Sequence, residues 1–438
     1  MRPSNPRSPG RPDALRRERW AWAMYDFANS GYATVVLTAV YNAYFVRVVA
    51  GSLGPGRATL LWTGAIALSN LLVLVTAPVI GALADLRAAK KRFLLVATAG
   101  CILCTALLGW AGQGALWEAL LLLFVANFCY GTGEDLIAAF LPELAEPSDL
   151  GRLSGFGWTV GYAGGLLTLG LCLAIIDFAE AHGRPPTDYV PHTLFLVAVM
   201  YGLGALPSLL WLKERGVPGA TEGLMAGFRR LGATLRDAAR FQDLFRFLPA
   251  LVAYNSGLYT VVVIAAVYAQ AVMGLTVEGS LGMVLVVNVA AAAGAFGVGQ
   301  LQDRFGSVPV LTLTLVVWLL ALAIAYLSTG LTGFWVAANL IGLALGSCQS
   351  AGRALIGRFT PPGREAEFFG LWGLAVKLSA VLGPLSYGLF AYVTGGNHKV
   401  AMLSTATYFL LGLWLLRRVD ERRGMRAAGR SPASENQK

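Results

Sequence analysis

Charged residues are scarce in this chain of 438 residues, at 13% against 56% hydrophobic residues. A soluble globular domain carries about 25% charged residues, so the composition excludes an ordinary soluble protein and is typical of a membrane protein. The net charge is +10, but the basic residues lie in the tails and in loops between apolar stretches. Membrane-facing loops explain that charge, and we predict no nucleic-acid partner.

Reactive side chains are also few. The three histidines, His182, His192 and His398, fall at or near loops without clustered acidic partners or a metal-like spacing. All five cysteines lie inside apolar stretches, so we interpret Cys101 and Cys104 as buried thiols instead of a metal or redox pair. No Walker motif, nucleotide fingerprint or catalytic triad is present. The sequence therefore predicts no enzyme activity, no catalytic residue, no metal and no cofactor, and it requires a gradient as the energy source.

Long apolar stretches, by contrast, are abundant. Each of them is long enough for a helix of about 20 residues that crosses the ~30 Å apolar core of a bilayer. They span 21–48, 60–84, 93–111, 116–141, 154–178, 190–212, 245–273, 278–300, 308–328, 332–356, 367–393 and 400–416. The expected fold class is an all-α membrane protein with 12 transmembrane helices.

Basic residues mark one side of the membrane. Of 34 Lys and Arg, 29 fall in the two ends and in every second gap between the apolar stretches. The opposite side holds Arg47, Arg57, Arg184 and Lys399, and Lys377 lies inside the eleventh stretch. The crowded side is cytoplasmic under the positive-inside rule. This predicts an integral multi-pass protein of the plasma membrane, the inner membrane in a bacterium, with both termini in the cytoplasm.

The chain repeats itself. NSGYATVV at 29–36 matches NSGLYTVV at 255–262, and Gly81-Ala-Leu-Ala-Asp85 matches Gly299-Gln-Leu-Gln-Asp303. Because each half has an even number of spans, the repeat is parallel about an axis along the membrane normal. We expect two six-helix pseudo-symmetric bundles around a shared cavity, an arrangement that suits alternating access.

The joining segment has its own pattern. Leucine and phenylalanine recur at helical spacing, and arginines occupy the other faces; these residues are Leu224, Phe228, Leu231, Leu235, Arg229, Arg230, Arg236 and Arg240. Two interpretations stay open, a cationic amphipathic helix on inner-leaflet lipid and a linker helix packed against the bundles. The predicted organisation is a disordered basic cytoplasmic tail (1–19), an N-terminal bundle (20–212), a cytoplasmic linker (213–244), a C-terminal bundle (245–418) and a basic cytoplasmic tail (419–438).

Two loop motifs carry a resemblance to a known superfamily. The segment from Gly81 to Arg92, GALADLRAAKKR, resembles the loop motif after the second helix of the major facilitator superfamily, although Ala88 stands where that motif has its second glycine. The copy from Gly299 to Gly306 keeps that glycine and lacks the basic triplet. The motif residues are Gly81, Asp85, Arg87, Lys90, Lys91, Arg92, Gly299, Asp303, Arg304 and Gly306. The resemblance implies the major facilitator fold.

Three longer segments resemble one branch of that superfamily. WAMYDFANSGYATVV at 22–36, FLPELAEPSDLGRLSGFGWTVGYAGG at 140–165 and PPGREAEFFGLWGLAVKLSAVLGPL at 361–385 are similar to the autophagy-related vacuolar amino-acid effluxers and their bacterial relatives. The chain departs from the branch at Ala138 and Ala139, where an Asn often precedes Leu-Pro-Glu. The resemblance implies a secondary carrier that exports a small polar or zwitterionic solute such as an amino acid.

Two other functions remain open. The spans are rich in aromatic residues, Trp62, Trp158, Trp318 and Trp372 among them, which favours efflux of amphipathic compounds. A non-transporting membrane sensor or scaffold could use the same fold, because fold alone does not fix function. For the carrier we expect a small-molecule solute, H+ as the coupling ion, membrane lipid as surroundings and a monomer.

Ionisable residues inside the apolar stretches are few: Asp26, Glu134, Asp135, Arg353 and Lys377. Such groups normally face a protein interior or a wet cavity. Lys377, halfway along its span, is predicted to bind substrate or coupling ion, with a structural ion pair as the alternative. Glu134 and Asp135 point about 100° apart on a helix, so one is expected to carry a proton or gate the cavity and the other to pair with Arg353. Asp26 joins these gating candidates, with a helix-start cap or interfacial anchor as its simpler interpretation.

Neutral polar residues complete the predicted site. Asn29 and Asn255, matched by the repeat, are expected to face one another across the cavity and to bind a polar solute together with Gln349. Hydrogen bonding between helices is the alternative for the two asparagines. Asp85 and Asp303 are expected to cap or pair at a neighbouring helix end and to stabilise the outward-facing state.

Overall fold

The computed structural model describes residues 11–216, 224–271, 273–328, 330–394 and 398–430. Within these ranges the chain is helical between its turns and has no strand, because lipid forces each backbone N–H and C=O to find a partner inside its own segment. The α-helices are α1 (Arg11–Tyr32), α2 (Tyr41–Tyr44), α3 (Pro55–Leu86), α4 (Lys90–Leu108), α5 (Leu116–Ala138), α6 (Leu141–Leu144), α7 (Leu150–Ala181), α8 (Pro186–Trp211), α9 (Leu224–Arg236), α10 (Gln242–Ala271), α11 (Val277–Phe305), α12 (Ser307–Leu327), α13 (Leu331–Phe359), α14 (Glu365–Val393), α15 (His398–Ser404), α16 (Ala406–Leu416) and α17 (Glu421–Ala427). Wider π turns (Ala33–Ala39 and Phe45–Val49) and short 3-10 turns (Gly51–Leu53 and Asp237–Ala239) complete the set.

The number of membrane-spanning helices agrees with the sequence. In the described part of the chain, 11 helices are long and apolar enough to cross a membrane. Val400–Leu416 and Glu421–Ala427, bent by 63° at the break between them, raise the number to 12 if they form one span. The predicted all-α membrane fold is confirmed.

The spans form two groups of neighbours. Helices α1, α3, α4, α5, α7 and α8 pack against one another, and α10 to α14 pack with α16. Between the groups, hereafter the N-terminal and C-terminal halves, α3 packs along α14 and α7 packs along α11. At Gly81 the two backbones meet so closely that an added Cβ would collide with the carbonyl of Ala366.

One side of the molecule carries both ends of the described chain and the link between the halves, and we call it the terminal face. On this face the structure corrects the prediction of a disordered tail at 1–19, because α1 already begins at Arg11. The Arg19 side chain donates to the Leu144 carbonyl at 2.8 Å, and Arg215 pairs with Glu18 at 2.7 Å. These contacts hold residues 11–19 against the N-terminal half, and residues 1–10 lie outside the described ranges.

The linker helix α9 packs against both halves. An added Cβ on Gly227 would lie 3.0 Å from the Leu83 side chain of α3. On the other side, the Arg230 guanidinium donates to the Glu367 carboxylate of α14 at 3.0 Å. These contacts describe a packed linker, while Phe228 on its free side is exposed. Contact of that free side with an inner leaflet stays a prediction.

The turn after α3 has an alanine with positive φ where the motif has a glycine. Ala88 has φ 47° and is the one non-glycine residue with positive φ in the described ranges. A residue with a Cβ adopts this left-handed region at a cost of about 1–2 kcal/mol. At the equivalent turn after α11, Gly306 has φ 92° and has no Cβ to strain. The first turn therefore stores strain that the second does not.

Replacing Ala88 by Gly should raise the apparent melting temperature of the detergent-solubilised protein. The net gain should stay below about 1 kcal/mol, because the relief of strain is partly offset by the greater freedom of glycine in the unfolded chain. Gly306→Ala should lower stability by about 1–3 kcal/mol, because Gly306, at φ 92° and ψ 156°, has a backbone conformation that is essentially restricted to glycine and because an added Cβ would lie 3.0 Å from Glu421. Equal losses in both variants would contradict this account.

Candidate functional site

A buried ion pair joins the two halves near the middle of the spans. The Lys377 ammonium of α14 lies 3.0 Å from the Glu134 carboxylate of α5, with the two side chains 9% and 20% exposed. The same ammonium lies 5.6 Å from the ring centre of Tyr130, close enough for a cation–π contact. This is the structural ion pair that the sequence left as the alternative for Lys377. Because it is charged, lies between the halves and is partly accessible, it remains suited to binding a charged solute.

Asp135 lies beside this pair without hydrogen bonds of its own. Both of its carboxylate oxygens are buried and have no hydrogen-bond partner among the described residues. Burying an unpaired charge costs several kcal/mol or more, so a proton on this carboxyl group would remove the largest penalty. The structure thus separates the two acidic neighbours, with Glu134 paired and Asp135 unpaired.

A second buried ion pair also joins the halves. The Arg353 guanidinium of α13 lies 2.8 Å from the Asp26 carboxylate of α1, and it donates to the Ser154 carbonyl of α7 at 2.9 Å. The guanidinium is stacked between two indoles, at 4.7 Å from the ring centre of Trp22 and 5.1 Å from that of Trp158. The Asp26–Arg353 pair is therefore buried and part of the contact between the halves, while the second oxygen of the Asp26 carboxylate accepts no hydrogen bond from the described residues.

This geometry corrects two predictions. Asp26 is neither a helix-start cap nor an interfacial anchor, because α1 begins at Arg11 and continues through it. Arg353 does not pair with the acidic residues of α5, because Asp26 is its carboxylate partner and the Glu134 carboxylate is bound to Lys377. Sequence reasoning placed the start of α1 about three turns too late and so put Asp26 near the membrane surface.

A small cavity lies between the two ion pairs. It has a volume of about 20 Å³, which is enough for one water molecule. Its walls come from both halves and include Glu134, Trp158, Asn255, Tyr259, Gln349 and Trp372. The Tyr254 hydroxyl and the Trp158 indole N–H, also in this wall, are buried without a partner among the described residues. The cavity thus offers unused donors to a water molecule or to a polar group of a solute.

The neutral residues that were predicted to bind solute differ in where they lie. Asn255 and Gln349 line the cavity, and Gln349 accepts a hydrogen bond from the Tyr162 hydroxyl of α7. Asn29 is not in the cavity wall. Its side-chain oxygen accepts a hydrogen bond from Tyr201 of α8 at 2.7 Å, which is the helix-to-helix bond that the sequence left open. The expected face-to-face pair of Asn29 and Asn255 is therefore wrong for Asn29.

The two motif aspartates cap helices across the halves. The Asp85 carboxylate accepts from the backbone N–H groups of Ala366 and Glu367, at 3.1 and 2.9 Å, in the first turn of α14. A helix start has unsatisfied N–H groups and a partial positive charge. The carboxylate therefore satisfies two donors at once, as the sequence predicted for this residue.

Asp303 repeats the arrangement in the opposite direction. It accepts from the N–H groups of Gly151 and Arg152, both at 2.8 Å, in the first turn of α7. Arg358 approaches the same carboxylate at 2.8 Å. We call these two contacts, made by Asp85 and Asp303, the inter-half caps. Each half caps one helix of the other at the terminal face.

The basic residues of the first motif take different positions. Lys90 is 1% exposed and binds Glu143, with Glu365 at 3.7 Å and Asp85 at 3.9 Å. Lys91 donates to the Leu212 carbonyl at the end of α8. Three further motif residues, Arg87, Arg92 and Arg304, are exposed. Lys90 is the basic residue of the motif that the described contacts place between the halves.

Three charged residues of this network were missed by the sequence analysis. Glu143 and Glu365 share Lys90, and Arg358 joins Asp303. Glu365 had a readable signal, because it is the first residue of a helix, where acidic side chains are favoured. Glu143 and Arg358 had none, since each resembles an ordinary loop charge until the partner half is placed beside it.

Polar contacts between the halves are concentrated toward one side. The inter-half hydrogen bonds and ion pairs described above lie between the terminal face and the level of Tyr162 and Lys377. The spans continue well past that level, to Ala181 in α7 and to Val393 in α14. The molecule is therefore closed at the terminal face by polar contacts.

Comparison of the sequence with known proteins identifies relatives over most of the chain. A family model described as "Vacuole effluxer Atg22 like" matches residues 61–429. The uncharacterized MFS-type transporter YxiO of Bacillus subtilis is 26% identical over 406 residues, which cover 92% of this chain and 94% of YxiO. Autophagy-related protein 22-1 of Penicillium rubens is 26% identical over 306 residues, which cover 63% of this chain and 50% of the fungal protein. The matched region spans about half the length of that fungal relative.

Solved structures share the fold over nearly the whole chain. The proton:xylose symporter XylE bound to 6-bromo-6-deoxy-D-glucose has a TM-score of 0.73 at 14% identity, covering 94% of this chain and 97% of XylE. The human organic anion transporter MFSD10 has a TM-score of 0.72 at 14% identity, covering 94% and 100%. The transporter FucP in its outward conformation has a TM-score of 0.68 at 15% identity, covering 93% and 98%. At these identities the likeness shows the fold, and it confirms the predicted major facilitator fold of two six-helix bundles.

Breaking the Lys377–Glu134 pair on one side should destabilise the protein more than removing both charges. Lys377→Met or Glu134→Gln alone should cost about 3–5 kcal/mol of unfolding free energy, and the double variant clearly less, because a single change leaves one buried charge unpaired. Apparent melting temperatures in detergent measure the effect. Arg152→Met is the matched control, because it removes an exposed ion pair with Asp149 and should cost well under about 1 kcal/mol. Additive single losses would show that the two residues are not coupled.

Proposed function

This chain belongs to the vacuole effluxer Atg22-like family and is a multi-pass transporter of the major facilitator superfamily, not an enzyme; from this premise we propose that it exports a small zwitterionic solute such as an amino acid in exchange for protons. The observation that carries the proposal is the Lys377–Glu134 pair between the halves. A zwitterion such as an amino acid also carries one carboxylate and one ammonium group close together, so its charges match those of the Lys377–Glu134 pair.

Binding of the solute follows from the geometry of that pair. The solute carboxylate would bind the Lys377 ammonium and its ammonium would bind the Glu134 carboxylate, so that each buried charge exchanges one partner for another. Charge-assisted hydrogen bonds of this kind are roughly twice as strong as neutral ones. Asn255 and Gln349, in the wall of the adjoining cavity, supply further polar contacts. A neutral solute would leave both charges without a substitute partner.

Asp135 is the proposed proton carrier. Its carboxyl group is adjacent to the pair and has no hydrogen-bond partner among the described residues. It is favoured as the protonated acid while it is dry, and opening of either side would admit water and stabilise its anion. The proton would therefore load and leave as access alternates. Lys377 couples the two events, because it is the cation next to both acidic residues.

The inter-half caps are the proposed gate. Opening the terminal face requires Asp85 to leave the start of α14 and Asp303 to leave the start of α7. Four backbone N–H groups then exchange a carboxylate for water. Because the capping bonds exist only while the halves touch, they stabilise the state that is closed at this face, which is the outward-facing state when the terminal face is cytoplasmic.

The proposed setting completes this account. We place the protein in the plasma membrane, or the inner membrane of a bacterium, with the terminal face and both termini in the cytoplasm, and we propose a monomer as the working unit. The basic residues that the sequence concentrates on this face support the orientation, because cytoplasmic loops are rich in Lys and Arg.

Efflux of amphipathic compounds is the second candidate. Trp158 and Trp372 stand in the cavity wall, and aromatic rings there suit an apolar body with a cationic head. The other two tryptophans in question do not contribute, because Trp62 packs on Phe45 and Trp318 stacks on Phe409. The aromatic wall is thus limited, and the charged pair at its edge favours the zwitterion.

A thermal-shift screen of the purified protein tests the proposal. Amino acids, dipeptides, sugars and amphipathic cations are each added to the wild type, because a ligand at 100 times its Kd stabilises by about 2.7 kcal/mol. We expect shifts with zwitterions, lost in the Lys377→Met/Glu134→Gln double variant. Lys213→Gln is the matched control, since this exposed lysine lies in the linker and its loss should leave the shifts unchanged.

The outcomes separate the two candidates. Zwitterion shifts in the wild type that vanish only in the double variant support the proposal, and uptake of that compound into proteoliposomes with an imposed pH gradient then tests proton exchange. Shifts with amphipathic cations that persist in the double variant would establish the second candidate. Zwitterion shifts that survive the loss of both charges would remove the Lys377–Glu134 pair from the binding site.

Asp85→Asn should change the rate of transport more than the binding of solute. The amide keeps one acceptor and loses the charge that faces the start of α14. We expect the Kd to stay within about twofold and the turnover to change by at least about fivefold, as the closed state loses roughly 1 kcal/mol. Titration of the purified variant and counterflow in proteoliposomes measure the two quantities. A large loss of affinity with normal turnover would contradict the gating role of Asp85.

A further inference from the structure

The segment after the last span folds back onto the terminal face. Residues 419–430, called the tail segment here, contain α17 and end the described part of the chain. Met425 is buried, and Gly424 lies so close to the Phe359 ring at the end of α13 that an added Cβ would collide with it. The segment is therefore packed and ordered against the C-terminal half.

Ionic contacts fix the base of the tail segment. The Arg423 guanidinium donates two hydrogen bonds to the Asp243 carboxylate, at 2.6 and 2.7 Å, and the same carboxylate accepts from the backbone N–H of Asp420 at 2.9 Å. Asp243 belongs to the first turn of α10. The tail segment is thus anchored to the C-terminal half and must move with it.

The middle of the tail segment reaches one of the inter-half caps. Glu421 binds Arg358 and accepts from the backbone N–H of Val308 at 3.1 Å. Arg358 also lies 2.8 Å from Asp303, whose carboxylate caps α7 of the other half. A continuous series of charged contacts therefore runs from the tail segment, through Arg358, to the cap made by Asp303.

The end of the tail segment crosses from one half to the other. The Arg430 guanidinium donates to the Thr360 carbonyl at 2.6 Å in the C-terminal half and to the Pro142 carbonyl at 3.1 Å in the N-terminal half. The side chain is only 10% exposed. Separation of the halves at this face would pull one of these carbonyls away from the guanidinium.

The two halves of the repeat differ at this point. The segment after α8 of the N-terminal half carries Arg215, which pairs with Glu18 and Glu143 of its own half. The segment after α16 carries Arg430, which bonds to both halves. The N-terminal copy reaches the other half further along the chain, where Arg230 of α9 donates to Glu367 of α14, whereas the C-terminal copy crosses through Arg430 itself.

We propose that the tail segment is an autoinhibitory latch that holds the terminal face closed until Arg430 leaves the Pro142 carbonyl. The inference rests on the proposed alternating-access cycle, in which this face must open. The anchor at Asp243 keeps the latch on the C-terminal half, and the series through Glu421 and Arg358 stabilises the cap made by Asp303 while the latch is bound. Release of the tail segment shifts the equilibrium toward the state open at this face.

Hydrogen–deuterium exchange tests the latch without any solute. The reporters are the four capped backbone amides, those of Gly151, Arg152, Ala366 and Glu367. The variants are a chain that ends at Arg418 and a full-length chain with Arg430→Ala. Arg426→Ala is the matched control, because this arginine of the same segment is exposed and its side chain makes no hydrogen bond or ion pair in the described structure. We expect the reporter amides to exchange at least about tenfold faster in the first two variants, since fewer hydrogen bonds oppose opening, and at the wild-type rate in the control.

The readout distinguishes the latch from other roles. Faster exchange confined to the terminal face supports the proposal, and the same protection in the shortened chain as in the wild type would overturn it. A rise of similar size throughout α4 and α8, far from the tail segment, would also overturn it by showing that the segment merely stabilises the fold. Because no transport is measured, a failed latch leaves the proposed function standing. A failed solute screen likewise leaves the latch testable.

Discussion

A charge inside a bilayer needs a partner within the protein, because an unpaired one costs several kcal/mol. In this chain the partners of the deepest charges come from the opposite half. Lys377 of one half binds Glu134 of the other, and Arg353 binds Asp26. The contacts that make these charges tolerable are therefore the contacts that join the halves. Any rearrangement of the halves must provide each charge with a new partner, whether a solute group, a proton or water, and this requirement ties the stability of the fold to its function.

Symmetry divides the molecule into two functional levels. At the terminal face the contacts follow the symmetry of the repeat. Asp85 and Asp303 each cap a helix of the other half by accepting from the N–H groups of its second and third residues. At the middle of the spans this symmetry is absent, because neither Lys377 nor Glu134 has a charged counterpart at the matching position of the other half. A symmetric contact suits a movement that both halves share. An asymmetric one suits recognition of a solute that has no symmetry itself.

The sequence predicted the contacts at the terminal face better than those at the middle of the spans, for physical reasons. Spans, repeat and the capping role of Asp85 and Asp303 follow from local patterns, since apolar length and a motif at a helix end are readable in a short window. The partner of Asp26 lies 327 residues away in sequence, and no local pattern selects it from the other cations. The predicted role of Asn29 was wrong for the same reason, because no local pattern selects Tyr201, whose hydroxyl donates a hydrogen bond to the Asn29 side chain. Long-range pairing of single polar groups is a property of the packed bundle, which the sequence shows only indirectly.

The inter-half caps also have an evolutionary consequence. Each aspartate binds backbone N–H groups, and every residue except proline carries one. Three of the partner positions, Arg152, Ala366 and Glu367, can therefore change their side chains without altering the capping bonds, provided that the helix still starts there. Gly151 is the exception, because an added Cβ would collide with Gln302 and with the capping Asp303 carboxylate. Each contact therefore depends on the side chain of a single residue, the capping aspartate. Substitutions at the helix starts can change how tightly the halves pack and how fast they separate, while the two aspartates remain unchanged.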